Sequence, residues 1–276
     1  MTQQLTLLAV HAHPDDESSS TGGVLARYAR EGVRTVVVTC TNGEFGDGPD
    51  HVKPGEAGHD PAEVARVRSG ELEAACAILG VGALERLGYH DSGMADWPYR
   101  ERPEAFCNVP LVESVGRLAA LFERHRPDIV ITYNDDGGYD HPDHVQAHRV
   151  TTAAVEATGL AAKLYFTARR REDWARMRER LRALGADIPE PPAFDEARLA
   201  RIRRAEERIS TEVDVSAYAL VKRAALAAHV SQLDESWWTR FPADTFEELF
   251  GREMFIRHLD HTGALVPEDD LLAGLR

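Results

Sequence analysis

Residues 5–17 read Leu-Thr-Leu-Leu-Ala-Val-His-Ala-His-Pro-Asp-Asp-Glu. The first seven, LTLLAVH, are a short apolar run that breaks abruptly into the polar HPDDESSS. A run of that length without alternation is the pattern of a parallel strand buried on both faces, feeding a loop that carries function. Residues 21–32 follow with Leu25, Tyr28 and Ala29 at helical spacing, Ser20 or Thr21 as the N-cap and Gly32 as the stop. Residues 33–39, VRTVVVT, are β-branched and apolar and predict a second strand.

Outward from this strand–helix–strand unit the alternation repeats. Residues 42–61 are rich in Gly and Pro and have no periodicity; a loop of this length is more often functional than idle. A helix is expected over 61–79, with Val64, Val67, Leu72, Ala75 and Leu79 on one face, then a short strand over 85–89 and a second broken loop over 90–107. A helix over 111–125 stops before Pro127, DIVIT (128–132) is a fourth buried strand, and after the loop 133–140 a helix runs over 141–158. Such alternation implies right-handed crossovers. It predicts an α/β, Rossmann-like three-layer fold with a mostly parallel twisted sheet. Ligands in such sheets bind beyond the carboxyl ends of the strands.

After Lys163 the pattern changes. A strand over 164–168 precedes a strongly basic helix over 169–184, a Pro-rich stretch over 185–194, an edge strand over 212–215, a helix over 217–230 and a last helix over 246–259. The expected division is a catalytic core of 1–168 and a C-terminal α/β extension or lid of 169–276.

The 276 residues carry a formal net charge of −14, with 43% hydrophobic and 28% charged residues, a composition of globular chains. The negative surplus argues against a nucleic-acid surface, which needs clustered Lys and Arg. No run of about 18 apolar residues offers a membrane span. The start lacks a basic segment and cleavage site, so no secretory leader is expected. Cys40, Cys76 and Cys107 are odd in number and widely spaced, which suits a reducing cytoplasm. Nothing in the chain decides between a monomer and a homo-oligomer.

The histidines are more informative. Five of twelve, His11, His13, His141, His144 and His148, cluster at two segments that are also dense in aspartate: His11–Glu17, and Asn134–His144 (NDDGGYDHPDH) with His148 one helical turn beyond it. Both follow predicted strands at their carboxyl ends. Neutral imidazole and carboxylate suit zinc, and three protein ligands plus a water make a catalytic zinc site. His13 and Asp16 flank a proline-stiffened turn that aims both at one point and leaves Asp15 free beside them. His141 and His144 share a face at i, i+3. A capped turn is the plain reading of one such segment; two of them in corresponding places favour a metal site. His144 and His148 at i, i+4 are a rival pair, but no Glu follows His144 as a metalloprotease helix requires, so His148 is expected to support rather than ligate.

These two segments resemble the marks of the PIG-L/LmbE family of zinc-dependent N-deacetylases, a first-strand HPDDE and a later HPDH. The wider context VHAHPDDES, VVTCTNGE, DSGM and ITYNDDGGYDHPDH is similar to the actinobacterial branch of mycothiol enzymes and their antibiotic-pathway relatives. The similarity covers about residues 5–168; beyond it STEVDVS and AAHVSQ match more loosely. The resemblance implies that His13, Asp16 and His144 hold zinc, with iron as the other candidate in the cell. Asp15 would be the general base towards a zinc-held water. His141 would serve as acid or oxyanion stabiliser, Tyr139 would polarise the carbonyl, and Asp143 would hydrogen-bond an active-site imidazole. Arg68 and Asp91 would contact sugar or inositol hydroxyls. As an acid, His141 has to be charged, and Asp140 and Asp143 are the groups expected to keep it so.

The expected activity is hydrolysis of an N-acetyl or N-acyl group from a glucosaminyl conjugate, a small-molecule amino sugar. The alternatives are a mycothiol S-conjugate amidase, a deacetylase of a non-sugar secondary metabolite and, last, a non-enzymatic binder, which has no need of a free base and acid beside the ligands. A phosphoesterase lacks its Gly-rich phosphate loop. Glu44 closes the second strand and is read as either a pocket residue or a solvated carboxylate. Trp237, Trp238 and Phe241 fit a core or interface better than a sugar platform, and residues 169–182 fit a solvated helix face better than an anion site.

Overall fold

The computed structural model describes residues 4–185, 194–232 and 241–276. The parallel strands are β1 (Thr6–His11), β2 (Arg34–Thr41), β3 (Ala83–Tyr89), β4 (Ile129–Tyr133) and β5 (Lys163–Ala168). Helices α1 (Asp16–Arg30), α2 (Pro61–Leu79), α3 (Leu111–His125) and α4 (Pro142–Thr158) connect them. Two further strands, β6 (Thr211–Asp214) and β7 (Arg252–Asp260), extend the same sheet, β7 antiparallel to both β5 and β6. The order is β3-β2-β1-β4-β5-β7-β6. The order therefore reverses between neighbours β1 and β4, and a doubly wound sheet opens its ligand crevice at such a switch point.

The apolar runs divide by period two. Leu8, Val10, Val36, Val38 and Val130 pack with Leu118, Phe122, Val150 and Ala154 of α3 and α4. Leu7, Ala9, Val37, Ile129 and Ile131 pack on the other face with Val24, Leu25, Leu72 and Leu79 of α1 and α2. Both faces are covered, which is why LTLLAVH and DIVIT show no alternation. Among the described residues no helix is long and apolar enough to cross a membrane.

Helix α2 starts at Pro61 behind Asp60, whose side chain accepts the Ala62 N–H, and ends at Gly80 with φ 74°. Its buried stripe is Val64, Arg68, Leu72, Ala75 and Leu79, so an arginine occupies a core-facing position. The remaining helices are α5 (Arg171–Ala183), α6 (Glu196–Glu207), α7 (Ala219–Ala227) and α8 (Ala243–Phe250), with α7 packed on α1 and α2.

Three expectations are corrected. The helix expected over 246–259 is α8 followed by β7. Gly251 ends the helix, donating its N–H to the Glu247 carbonyl, and Phe255 and Ile256 then face opposite layers, a doubly buried strand whose apolar spacing imitates a helix. Helix α1 starts at Asp16 rather than near Thr21, because the turn before it is only four residues long. Helix α6 had no counterpart in the sequence reading; it buries no residue and so shows no apolar stripe. Phe241 is buried with Phe246 and Phe250, while Trp237 and Trp238 lie outside the described residues.

Candidate metal centre

The first strand delivers the chain to a turn whose backbone is strained. Asp15 has φ 112°, a conformation L-residues adopt rarely and chiefly where surrounding structure enforces it. Its N–H is held by Glu17 Oε2 at 2.9 Å. The strain lets Asp16 turn back: its Oδ2 accepts the His13 N–H at 2.9 Å and the Tyr133 hydroxyl at 2.7 Å. Tyr133, the last residue of β4, also accepts the Ala12 N–H at 2.8 Å and so ties the two loops of the crevice together. On the other loop His141 is the N-cap of α4, its Nδ1 accepting the Asp143 N–H at 3.2 Å.

Three acceptor atoms converge between these loops. His13 Nδ1 lies 3.3 Å from Asp16 Oδ2 and 3.3 Å from His144 Nε2, which is itself 3.4 Å from Asp16 Oδ2. The outer nitrogens fix the tautomers. His144 Nδ1 is 3.0 Å from the Gly137 carbonyl, which can only accept, and His13 Nε2 is 3.2 Å from Asp143 Oδ2. Each ring therefore carries its proton on the outside and turns a bare lone pair inwards, beside a carboxylate oxygen. Two imidazole lone pairs and a carboxylate converging on one point call for a cation. Two imidazole nitrogens and one carboxylate oxygen are a donor set that suits zinc and its first-row neighbours. A ring nitrogen of His141 also lies within 4.8 Å of ring nitrogens of His13 and His144. Gly137 is required for this arrangement: its φ is 63°, and a Cβ there would lie 2.6 Å from His144 Cβ.

The electrostatics agree with a missing positive charge. Burial disfavours a charged His13, yet Asp91, Asp143 and Asp16 together hold its pKa well above the usual value. Burial likewise opposes ionisation of Asp16, but His144 and His13 hold it well below the carboxylate range.

The PIG-L family profile, described as GlcNAc-PI de-N-acetylase, matches residues 8–155. Those residues include both loops. The chain belongs to the PIG-L family of de-N-acetylases. A 1D-myo-inositol 2-acetamido-2-deoxy-alpha-D-glucopyranoside deacetylase of Mycobacteroides abscessus is 45% identical over 237 residues, 83% of this chain and 82% of that one. One of Acidothermus cellulolyticus is 39% identical over 98% of this chain and 95% of its own. The N,N'-diacetylchitobiose deacetylase of Pyrococcus horikoshii shares the fold with a TM-score of 0.57 at 18% identity, over 91% of this chain and 83% of that one. This PIG-L member is a hydrolytic deacetylase, and its His/Asp cluster has the make-up to hold a metal ion.

The other residues singled out from sequence surround the cluster. Asp15 stands at its edge with a side chain 34% exposed. Its pKa is pushed up to about 6: burial and the neighbouring Asp16 raise it, and Arg68 between them in strength pulls it down. Arg68 is buried, and its guanidinium donates to Gly43 O at 2.6 Å, to Pro14 O, and to Asp15 Oδ2 at 3.2 Å. It thus sits behind Asp15, fastening it to the loop after β2. Asp91 is buried 3.6 Å from His13 Nε2 and accepts the Gly93 N–H at 2.7 Å. Glu44 is buried rather than solvated: one oxygen takes His90 at 2.6 Å and the other the Asp91 N–H at 3.1 Å. Tyr139 is 50% exposed at the rim, its ring 5.8 Å from that of His141 and 5.0 Å from that of His144.

Asp140 and Asp143 do not hold His141 charged. Asp140 turns outwards to Arg201 and Asp143 inwards to His13 and Ser92. Burial and then the charges of His13 and His144 lower the His141 pKa to about 2. The ring is neutral and, with Nδ1 accepting from Asp143, carries its proton on Nε2. His148 binds the Tyr133 carbonyl at 2.9 Å through Nδ1, a supporting contact.

Sequence reasoning missed three supports. Ser92 donates to Asp143 from both its N–H, at 2.8 Å, and its hydroxyl. Tyr133 holds Asp16 as described. His229, beyond α7, donates to buried Glu17 at 2.8 Å, and Glu17 holds the Asp15 backbone. Their only sequence signal is position within the stretches DSGM, ITYNDD and AAHVSQ.

Proposed function

We propose that this chain is a zinc-dependent hydrolase that removes an N-acetyl group from a glucosaminyl conjugate, with the inositol glucosaminide named for its relatives as the leading substrate. The observation that carries the reading is the inward lone-pair triangle of His13, Asp16 and His144 with the Asp15 carboxylate free at its edge. His13, Asp16 and His144 hold the ion. When bound, zinc supplies Lewis-acid polarisation of the amide carbonyl and acidifies water.

Asp15 takes a proton from the attacking water and delivers it to the amide nitrogen as the C–N bond breaks, giving a free amine and acetate. With a pKa of about 6 it is mostly ionised at neutral pH yet basic enough for the transfer. Neutral His141 donates from Nε2 to the oxyanion that forms as the carbonyl becomes tetrahedral, and the Tyr139 hydroxyl at the rim is the second donor. Asp143 and Asp91 fix the His13 ring from behind. Arg68 holds Asp15 in place rather than reaching for a sugar. A reducing cytoplasm suits the free thiols Cys40, Cys76 and Cys107.

The test is acetate and free-amine release from N-acetylglucosaminyl inositol, from a cysteinyl-glucosamine thioether and from a non-sugar acetamide, with and without chelator. Chelator-sensitive acetate release from the first is expected. Cleavage of the thioether alone identifies a conjugate amidase, and metal binding without turnover of any of the three overturns the proposal.

A further inference from the structure

The segment Tyr139-Asp140-His141 is the rim of the site, and its conformation is not self-explanatory. In the loop from Asn134 to Asp140, Gly137, Gly138 and Asp140 all have positive φ, at 63°, 84° and 66°. Asp140 lacks the glycine's freedom to do so. The loop has internal hydrogen bonds, Gly137 N–H to Asn134 O at 3.0 Å and Asp140 N–H to Asp136 O at 2.8 Å, but it also gathers Asp135, Asp136 and Asp140 beside a centre already rich in carboxylates. Like charges so placed repel.

Each of the three carboxylates faces an arginine from one segment. Arg201 Nη2 lies 2.8 and 2.7 Å from the two oxygens of Asp140, and its Nε lies 3.8 Å from Asp136. Arg198, on the same face of α6, lies 3.7 Å from Asp140, and Arg208, just past α6, lies 4.0 Å from Asp135. The rest of α6 buries nothing. Arg204, lining the same groove, has no carboxylate partner among the described residues.

We infer that Arg201 is a positioning residue for the deacetylation proposed above: by gripping Asp140 between Tyr139 and His141 it fixes where the Tyr139 hydroxyl stands over the site. The inference rests on the reading of Tyr139 as a donor to the carbonyl. Pairing the three carboxylates offsets their mutual repulsion and holds the loop in this conformation; without Arg201 the loop loosens and Tyr139 loses its place while the metal ligands keep theirs.

The test compares Arg201→Ala, Arg201→Lys and Arg204→Ala in the metal-loaded enzyme, each also in a Tyr139→Phe background. A misplaced catalytic group costs between about 10- and 100-fold in rate, so Arg201→Ala is expected to lower kcat by that factor. KM should move by less than about threefold, since ground-state binding is untouched. Metal content should stay at wild type, Arg201→Lys should recover most of kcat, and Arg204→Ala should leave it unchanged. In the Tyr139→Phe background the Arg201→Ala effect should largely vanish, because the two act through one donor. Amide exchange over residues 134–141 should rise in Arg201→Ala and not over β1. An equal loss in both backgrounds, unchanged kcat in Arg201→Ala, or unchanged exchange overturns the inference. If wild type turns over no substrate of the panel, the functional reading falls, and the exchange measurement still decides whether Arg201 holds the loop.

Discussion

His13 Nδ1 faces His144 Nε2 across 3.3 Å, both beside the Asp16 carboxylate. Their outer nitrogens are committed to Asp143 and the Gly137 carbonyl, so with both rings neutral two lone pairs face each other, and a cation, either a proton on His13 or a metal ion, has to lie between the rings and Asp16. Loss of any corner of this triangle should therefore abolish metal binding. Asp16→Ala and His144→Ala are expected to purify with little zinc, and chelation of wild type should lower its melting temperature, since a ligand at about a thousand times its Kd stabilises by about 4 kcal/mol. Metal analysis per chain checks this; stoichiometric zinc in Asp16→Ala refutes the assignment.

His141 stands apart from that triangle chemically, being its own helix cap and neutral. His141→Ala should keep its zinc and lose about 100- to 1,000-fold in kcat, the usual cost of one oxyanion donor. Its neutrality adds a second, independent expectation. The alkaline limb of the wild-type kcat profile should persist unmoved in His141→Gln, whereas a charged His141 acting as acid would make that limb disappear. Rate–pH profiles of the two enzymes separate the cases.

As the proposed base, Asp15 is expected to set the acidic limb. Its pKa of about 6 is raised by burial and by Asp16 and lowered by Arg68; a bound dication lowers it further. The limb of kcat/KM should thus lie at or below about pH 6, with activity falling about tenfold per unit beneath it. Arg68→Met removes a cation that favours the ionised form, so the limb should move to higher pH. A limb that stays in place or moves down in that variant shows that Arg68 does not act on Asp15.

The parallel core was legible because burial on both faces writes itself into composition: LTLLAVH, VRTVVVT and DIVIT cannot be read as amphipathic helices or hairpins. The same rule misled at β7. Met254, Phe255 and Ile256 are a doubly buried strand, but Phe246, Leu249 and Phe250 precede them at helical spacing, and only Gly251 separates the helix from the strand. The helix α6 was illegible because it contributes charge rather than burial. Of the site, the residues carried on loops after β1 and β4 were visible as two dense motifs. The buried Arg68 is marked only by the family resemblance, since the apolar helical pattern runs through Val67 instead. Ser92, Tyr133 and His229 act across 51, 117 and 212 residues of chain, distances at which no local pattern reports a partner.

The most distant of these contacts links the C-terminal part of the chain to Asp15, the proposed base. Glu17 and His229 form a buried ion pair, and Glu17 in turn holds the strained Asp15 backbone. Removing one partner leaves the other charge uncompensated in the interior, so His229→Ala should destabilise by about 3–5 kcal/mol. The pH dependence follows from the two shifts. Burial opposes charge on His229, but Glu17 outweighs it and raises the pKa, so the stabilisation from His229 is complete below its unfolded value near 6.5 and is lost as pH rises through the raised folded value. Glu17, lowered by His229 against its own burial, contributes above its unfolded value near 4.5 and loses that contribution as pH falls through the lowered folded value. The pair should therefore stabilise most between these limits, at mildly acid pH. Urea titrations of wild type and His229→Gln across pH 4–9 should diverge most near about pH 5.5 and converge towards alkaline pH. A difference that is flat with pH would assign His229 to packing alone.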